Sequence, residues 1–216
     1  MTVPDKPLPM PLRHRAVRRL VQLQLGLVLY GTSMALMVEA RLGLDPWDVL
    51  HQGIARRTGL RFGWVVIAVG ALVLLLWVPL RQRPGIGTLS NVVVIGLAVD
   101  AALALLPTPH ATVTRWAFLA VGVLGNGLAT GLYIGARLGP GPRDGLMTGL
   151  AARGHSIRVV RTAIEVSVLA AGWLLGGTVG WATLIYAVTI GPLAHVFIPL
   201  CSVRPAWDAR TLQRTG

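Results

Sequence analysis

Two aspartates stand in near-identical surroundings 96 residues apart. Asp48 lies in ARLGLDPWDVL, Ala40 to Leu50, and Asp144 in ARLGPGPRDGL, Ala136 to Leu146, with seven of eleven positions identical. In each copy a glycine-containing turn leads to a proline, Pro46 or Pro142, and the aspartate follows two residues later. Proline suits the first turn of a helix, where its missing N–H has no partner to lose. A carboxylate in that turn accepts from free N–H groups and offsets the positive helix end. The spacing predicts a short helix through Arg57 in one copy and Arg153 in the other. Two readings stay open for these ends. Either they cap helices lying at an interface, or they point into a polar cavity and meet a solute there.

Few other ionisable groups fall in apolar surroundings. They are Asp100, Arg161, Glu165 and His195, with Glu39 at the edge of an apolar run. An isolated charge in hydrocarbon costs several kcal/mol, so such groups pair, neutralise or face water. Arg161 precedes Glu165 by four residues, one helical turn, so an ion pair is expected. Asp100 occupies the repeat position of His195, and the two are expected to approach each other. Asp48, Asp144, Asp100, Glu165, Arg161 and His195 are therefore the candidates for a solute or ion pathway. His14, His51, His110 and His155 read as tail or loop residues, and Cys201 is alone, so neither metal nor cofactor is expected. No P-loop, nucleophile elbow or zinc-protease pattern is present, and enzymatic activity is not expected.

The elements that must carry these groups are apolar. The 216 residues are 54% hydrophobic and 13% charged, with a mean hydropathy of +0.65. Soluble domains carry about a quarter charged residues. Six long apolar runs recur: Leu20–Val38, Phe62–Leu80, Gly85–Leu106, Trp116–Gly135, Val159–Leu175 and Trp181–Cys201. Most reach the roughly 18 residues needed to cross a bilayer core as a helix. The chain reads as an all-α polytopic membrane protein with six spans. With the amino terminus inside, fifteen of the 20 Lys and Arg fall on inner segments. Only Arg41, Arg56, Arg57, Arg61 and Arg115 fall outside, the bias of the positive-inside rule. The net charge of +12 thus reports orientation, with both termini cytoplasmic and no nucleic-acid partner. Trp64, Trp77, Trp116, Trp173 and Trp181 sit near run ends, where indoles anchor at the interface.

The duplication extends past the loops. Gly26, Gly31 and Gly53 align with Gly122, Gly127 and Gly149 at the same offset. After a one-residue deletion near Arg57 the offset is 95, and Gly85–Leu89 (GIGTL) meets Gly180–Leu184 (GWATL). Ala182 there replaces a glycine, so the two turns are not expected to be fully equivalent. The chain divides into a proline-rich tail (1–17), a first three-span unit (18–107), a second (108–201) and a tail (202–216). An odd number of spans per unit inverts the second relative to the first. The motifs RLGLDPWDVLHQGI, GIGTLSN, ARLGPGPRDGLMTGL, VRTAIE and LLGGTVGWATL, in this order, resemble the YczE/YyaS/YitT family of bacterial membrane proteins, closest to its YczE-like branch. The resemblance implies a multi-span protein of the bacterial inner membrane.

These observations lead to an expected small permease or exporter, alternating between its two units, with a small solute as partner. Asp48 and Asp144 would then stand at equivalent gates on opposite sides. The alternative is a non-transporting membrane factor that assists a partner complex. A chain of 23.0 kDa is also compatible with a homodimer. The topology is directly testable. Reporter domains fused after Gly59 and after Gly154 should report opposite sides of the membrane, and the same side for both would exclude the inverted arrangement.

Overall fold

The computed structural model describes residues 15–203, and these form helices only. In chain order they are α1 (Ala16–Ala40), α2 (Pro46–Thr58), α3 (Phe62–Leu80), α4 (Ile86–Leu105), α5 (Thr112–Gly135), α6 (Pro142–Ala151), α7 (Ile157–Leu174) and α8 (Trp181–Cys201). Each half of the chain therefore carries the same order: long helix, short helix, two long helices.

Five helices, α1, α3, α4, α5 and α8, are long and apolar enough to cross a membrane. The sixth apolar run became α7, which is 18 residues long but includes Arg158, Arg161 and Glu165. Its charge separates it from the other five. At α1 and α5 the helices begin at Ala16 and Thr112, four residues before the apolar runs at Leu20 and Trp116. The run criterion stops at Arg19 and Arg115, yet both arginines are helical.

Their side chains explain why. α1 and α5 pack antiparallel along the centre. Arg19 Nε donates to Ala136 O at 2.9 Å and its Nη2 to Arg137 O at 2.8 Å. Arg115 Nε donates to Ala40 O at 2.8 Å and its Nη2 to Arg41 O at 2.7 Å. Each arginine thus serves the last carbonyls of the other central helix, groups that have no partner within their own helix. A guanidinium there also complements the negative helix end. Arg41 and Arg137 both turn the chain with φ 54°.

α4 and α8 pack against α1 and α5 respectively. A Cβ at Gly31 would lie 2.7 Å from Ile95 O, so the absence of a side chain lets the backbones of α1 and α4 meet. The turns leading into α4 and α8 do the same work in both halves. Gly85 N donates to Thr88 Oγ1 at 3.1 Å, and Gly180 N to Thr183 Oγ1 at 3.2 Å. Gly87 N and Ala182 N donate to Leu138 O and Leu42 O, each at 2.9 Å. Ala182 therefore leaves the backbone role unchanged, contrary to expectation, because the bond needs only its N–H.

The short helices cross between halves: α2 packs against α7, and α6 against α3. Trp77 accounts for part of this. It is 2% exposed, its Nε1 donates to Pro142 O at 3.0 Å, and its ring fills the space beside Gly145. Trp77 is thus a packing residue of the interior and not an interface anchor. Trp64, Trp116, Trp173 and Trp181 are exposed on the helix surfaces.

The cross-capping arginines carry a measurable share of stability. Arg115→Leu should lower unfolding stability by about 1–3 kcal/mol, the cost of leaving carbonyls unpaired. Arg83→Leu, at an exposed residue, should stay within about 0.5 kcal/mol. Thermal unfolding of the detergent-purified proteins compares the two, and equal shifts would remove the caps from the account.

Candidate functional site

The amino-terminal ends of α2 and α6 meet in the interior. Asp45, rather than Asp48, caps α2: its Oδ1 accepts from Trp47 N at 3.0 Å and Asp48 N at 3.2 Å. An aspartate just before the proline is in the extended conformation that a cap requires, with φ −64° and ψ 161°. Asp48, one turn in, is therefore released from capping. It is fully buried, and its Oδ1 lies 3.0 Å from His51 Nδ1. His51 is buried in α2 and is not a loop residue. The i,i+3 spacing that puts both on one face of α2 is the signal that could have found the pair.

Arg143, from the first turn of α6, completes the cluster from the other half. Its guanidinium lies 3.7 Å from Asp48 Oδ1 and 3.9 Å from Asp45 Oδ1. Its Cζ sits 4.9 Å from the centre of the Trp47 ring, a cation–π placement. These separations are ionic contacts longer than hydrogen bonds. Asp48 Oδ2 and Trp47 Nε1 are buried and have no hydrogen-bond partner among the described residues.

Asp144 lies beside Arg143 and does something different. Its Oδ2 accepts from Tyr133 Oη at 2.9 Å. Asp48 and Asp144 are thus not at separate entrances. The structure brings both next to Arg143, one on each side of a shared interior cluster. The reason is that each short helix is anchored at its carboxyl end to the other half and starts in the centre. Arg57 Nε donates to Leu175 O at 3.3 Å, and Arg153 Nη2 to Pro79 O at 2.6 Å.

The remaining candidates divide by half. Arg161 Nε and Glu165 Oε1 form the expected pair at 2.9 Å. Arg161 faces a cavity shared with Asp144, Tyr133, Tyr186 and His195. Asp100 does not meet His195. Its Oδ1 accepts from Gly63 N at 2.6 Å, closing the seam between α3 and α4. Asn126 bonds between helices, its Oδ1 accepting from Tyr186 Oη at 2.9 Å. Among the described residues no group of His, Cys, Asp and Glu could hold a metal ion.

The cluster can be tested through its hierarchy. Asp48→Ala strips His51 and Arg143 of a shared buried carboxylate and should cost about 3–5 kcal/mol. Asp144→Ala removes one bond to Tyr133 and should cost about 0.5–1.5 kcal/mol. Chemical or thermal unfolding of each variant measures the difference. Equal costs would indicate equivalent roles and contradict the shared cluster.

Comparison with known proteins gives a family without a described activity. A 181-residue stretch is 41% identical to an uncharacterized protein of Haemophilus influenzae, covering 83% of each chain. The chain is also 32% identical over 177 residues to the uncharacterized membrane protein YczE of Bacillus subtilis, covering 81% of this chain and 82% of that one. A third similarity, 25% over 183 residues, is to the uncharacterized protein YyaS of the same bacterium. No solved structure matches. With five apolar helices of spanning length, this is an integral, multi-pass, all-α membrane protein. Residues 17–199 match the model of DUF6198, a family of unknown function, and the chain belongs to that family.

Proposed function

We propose that the protein is a small-solute permease or exporter of the bacterial plasma membrane, with both termini cytoplasmic, working by alternating access between two inverted units. α7 is its sixth span. Its charged pair, Arg161 and Glu165, borders a cavity shared with Asp45, Arg143 and Asp144. α2 and α6 are half-helices that start near the middle of the membrane, the arrangement by which broken helices present their positive ends to a solute.

One observation carries this reading: matching seams in the two halves are in opposite states. In the first half α3 packs against α4, whereas α7 and α8 do not pack in this way. A Cβ at Gly96 on α4 would lie 2.6 Å from Gly63 O and 2.5 Å from Ile67 Cγ1. The equivalent Gly191 on α8 has nothing within 4 Å. Asp100 is held in the closed seam by Gly63 N, while the matching His195 lines the cavity on the open side. Two copies of one unit, one closed and one open, are what an alternating cycle needs, since exchanging their states reverses the access.

Single cysteines test the exchange. In a Cys201→Ser background, His195→Cys should label rapidly with a membrane-impermeant maleimide, and Asp100→Cys slowly. Gly96→Leu wedges the closed seam and should move labelling from position 195 to position 100. Gly191→Leu fits the open seam and should leave the pattern in place. Labelling that never moves would favour the non-transporting membrane factor.

A further inference from the structure

The two short helices differ at the residue that starts them, and the difference identifies a ligand group. At α2 the N-cap is Asp45, and its carboxylate accepts from the N–H groups of Trp47 and Asp48. The matching position before α6 is Gly141, which has no side chain to do this. The matching N–H groups belong to Arg143 and Asp144, and among the described residues they make no such bond. In one half a capping carboxylate is built in, and in the other the cap has no side chain and its surroundings are Asp144, Tyr133 and Asn91.

Independent observations place further donors around the same opening. Trp47 is 6% exposed and lines one cavity with Gly141, Pro142 and Arg143, and its indole N–H has no hydrogen-bond partner among the described residues. The Arg143 guanidinium is ion-paired with Asp48 and Asp45 at 3.7 and 3.9 Å, separations longer than a hydrogen bond. An indole N–H, a guanidinium fork and a helix start together recognise a carboxylate. Asp144 sits on the same rim, with its Oδ2 3.1 Å from where a Cβ of residue 141 would stand. A bare anion would be repelled there, but a ligand carrying an ammonium beside its carboxylate would pair with it. Val66, Val69, Val73, Val92 and Ile95 form an apolar side of the cavity, and Tyr30, His51, Asn91 and Tyr133 line the remainder.

We infer that this cavity binds a free apolar amino acid, whose carboxylate sits at the start of α6 in the position that Asp45's own carboxylate holds at the start of α2. The ammonium faces Asp144 and the side chain faces the valines. This rests on the transport reading for its role in the cycle, while the site itself is defined by the residues alone.

The test uses the full chain purified into lipid nanodiscs, with melting temperature as the readout. The probes are leucine, isoleucine, valine, methionine and phenylalanine, with leucinamide, 3-methylbutylamine and 4-methylpentanoate as leucine lacking one charge or the other. At least one of the five amino acids should raise the melting temperature in a saturable manner. Leucine's three analogues should need about tenfold higher concentration or more than leucine itself, the effect of losing a charge-assisted bond set. Gly141→Asp supplies the missing carboxylate in an extended conformation that accepts it, φ −62° and ψ 158°. This variant should lose the response, and repulsion between its carboxylate and Asp144 should lower its melting temperature. If it does not fold, Trp47→Phe keeps the ring under Arg143 and removes only the N–H, and should weaken the response severalfold. The inference is overturned if no amino acid acts, if an analogue matches leucine, or if the folded variants respond as wild type does. Seam labelling that moves while no amino acid binds would leave the transport reading standing alone. Amino-acid binding with fixed labelling would leave the site and remove the transport.

Discussion

Backbone groups in an apolar surrounding must find partners inside the protein, and this constraint organises the whole chain. Loops 41–45 and 137–141 interrupt the helices, leaving carbonyl and N–H groups with no partner in their own helix. Each interruption is completed by the other half. Arg115 and Arg19 serve the carbonyls that end α1 and α5. Gly87 N and Ala182 N serve the loop carbonyls of Leu138 and Leu42. Neither half could bury its own broken segment alone, so the two units are parts of a single folding problem.

The same reciprocity is not carried through to every contact. Contacts that pair equivalent groups across the centre are unchanged when the halves exchange roles. The seams are not of this kind: α3–α4 closes on Gly96 and Asp100, while α7–α8 stands open beside Gly191 and His195. The duplicated contacts and the unlike seams thus stand side by side in one frame.

Much of this frame is legible in the sequence. Apolar runs and an offset of 96 or 95 residues give the helices and their duplication, and Pro46 and Pro142 mark the short helices. The run criterion fails at Arg19 and Arg115, because it counts a charge as the end of a buried segment. It has no means of seeing that the charge is used on another helix's carbonyls. The repeat does carry that information, since the two arginines align. Asp48 lies in the first turn, where a carboxylate can cap, but Asp45 precedes the proline and takes those N–H groups first. His51 then has a partner in Asp48, which turns a supposed loop histidine into a buried one. The position of Trp77 near a run end suits an interface anchor, and only tertiary packing shows Gly145 making room for it. The meeting of Asp48 with Arg143 joins the two halves and depends on their relative placement, which local patterns do not encode.

Where the two copies agree and where they diverge separates scaffold from site. Arg19 and Arg115, Thr88 and Thr183, Pro46 and Pro142 are the same in both units, and each holds backbone in place. At the central cluster the copies part. Asp45 stands opposite Gly141, Trp47 opposite Arg143, His51 opposite Met147, Val66 opposite Arg161, and Asp100 opposite His195. Tyr30 and Asn91 match Asn126 and Tyr186, with the residue types exchanged between helices. These differences give the two short helices unlike starts: Asp45 caps α2 with a carboxylate, and Gly141 precedes α6 without a side chain, inside a frame whose turns and cross-capping arginines treat the two halves alike.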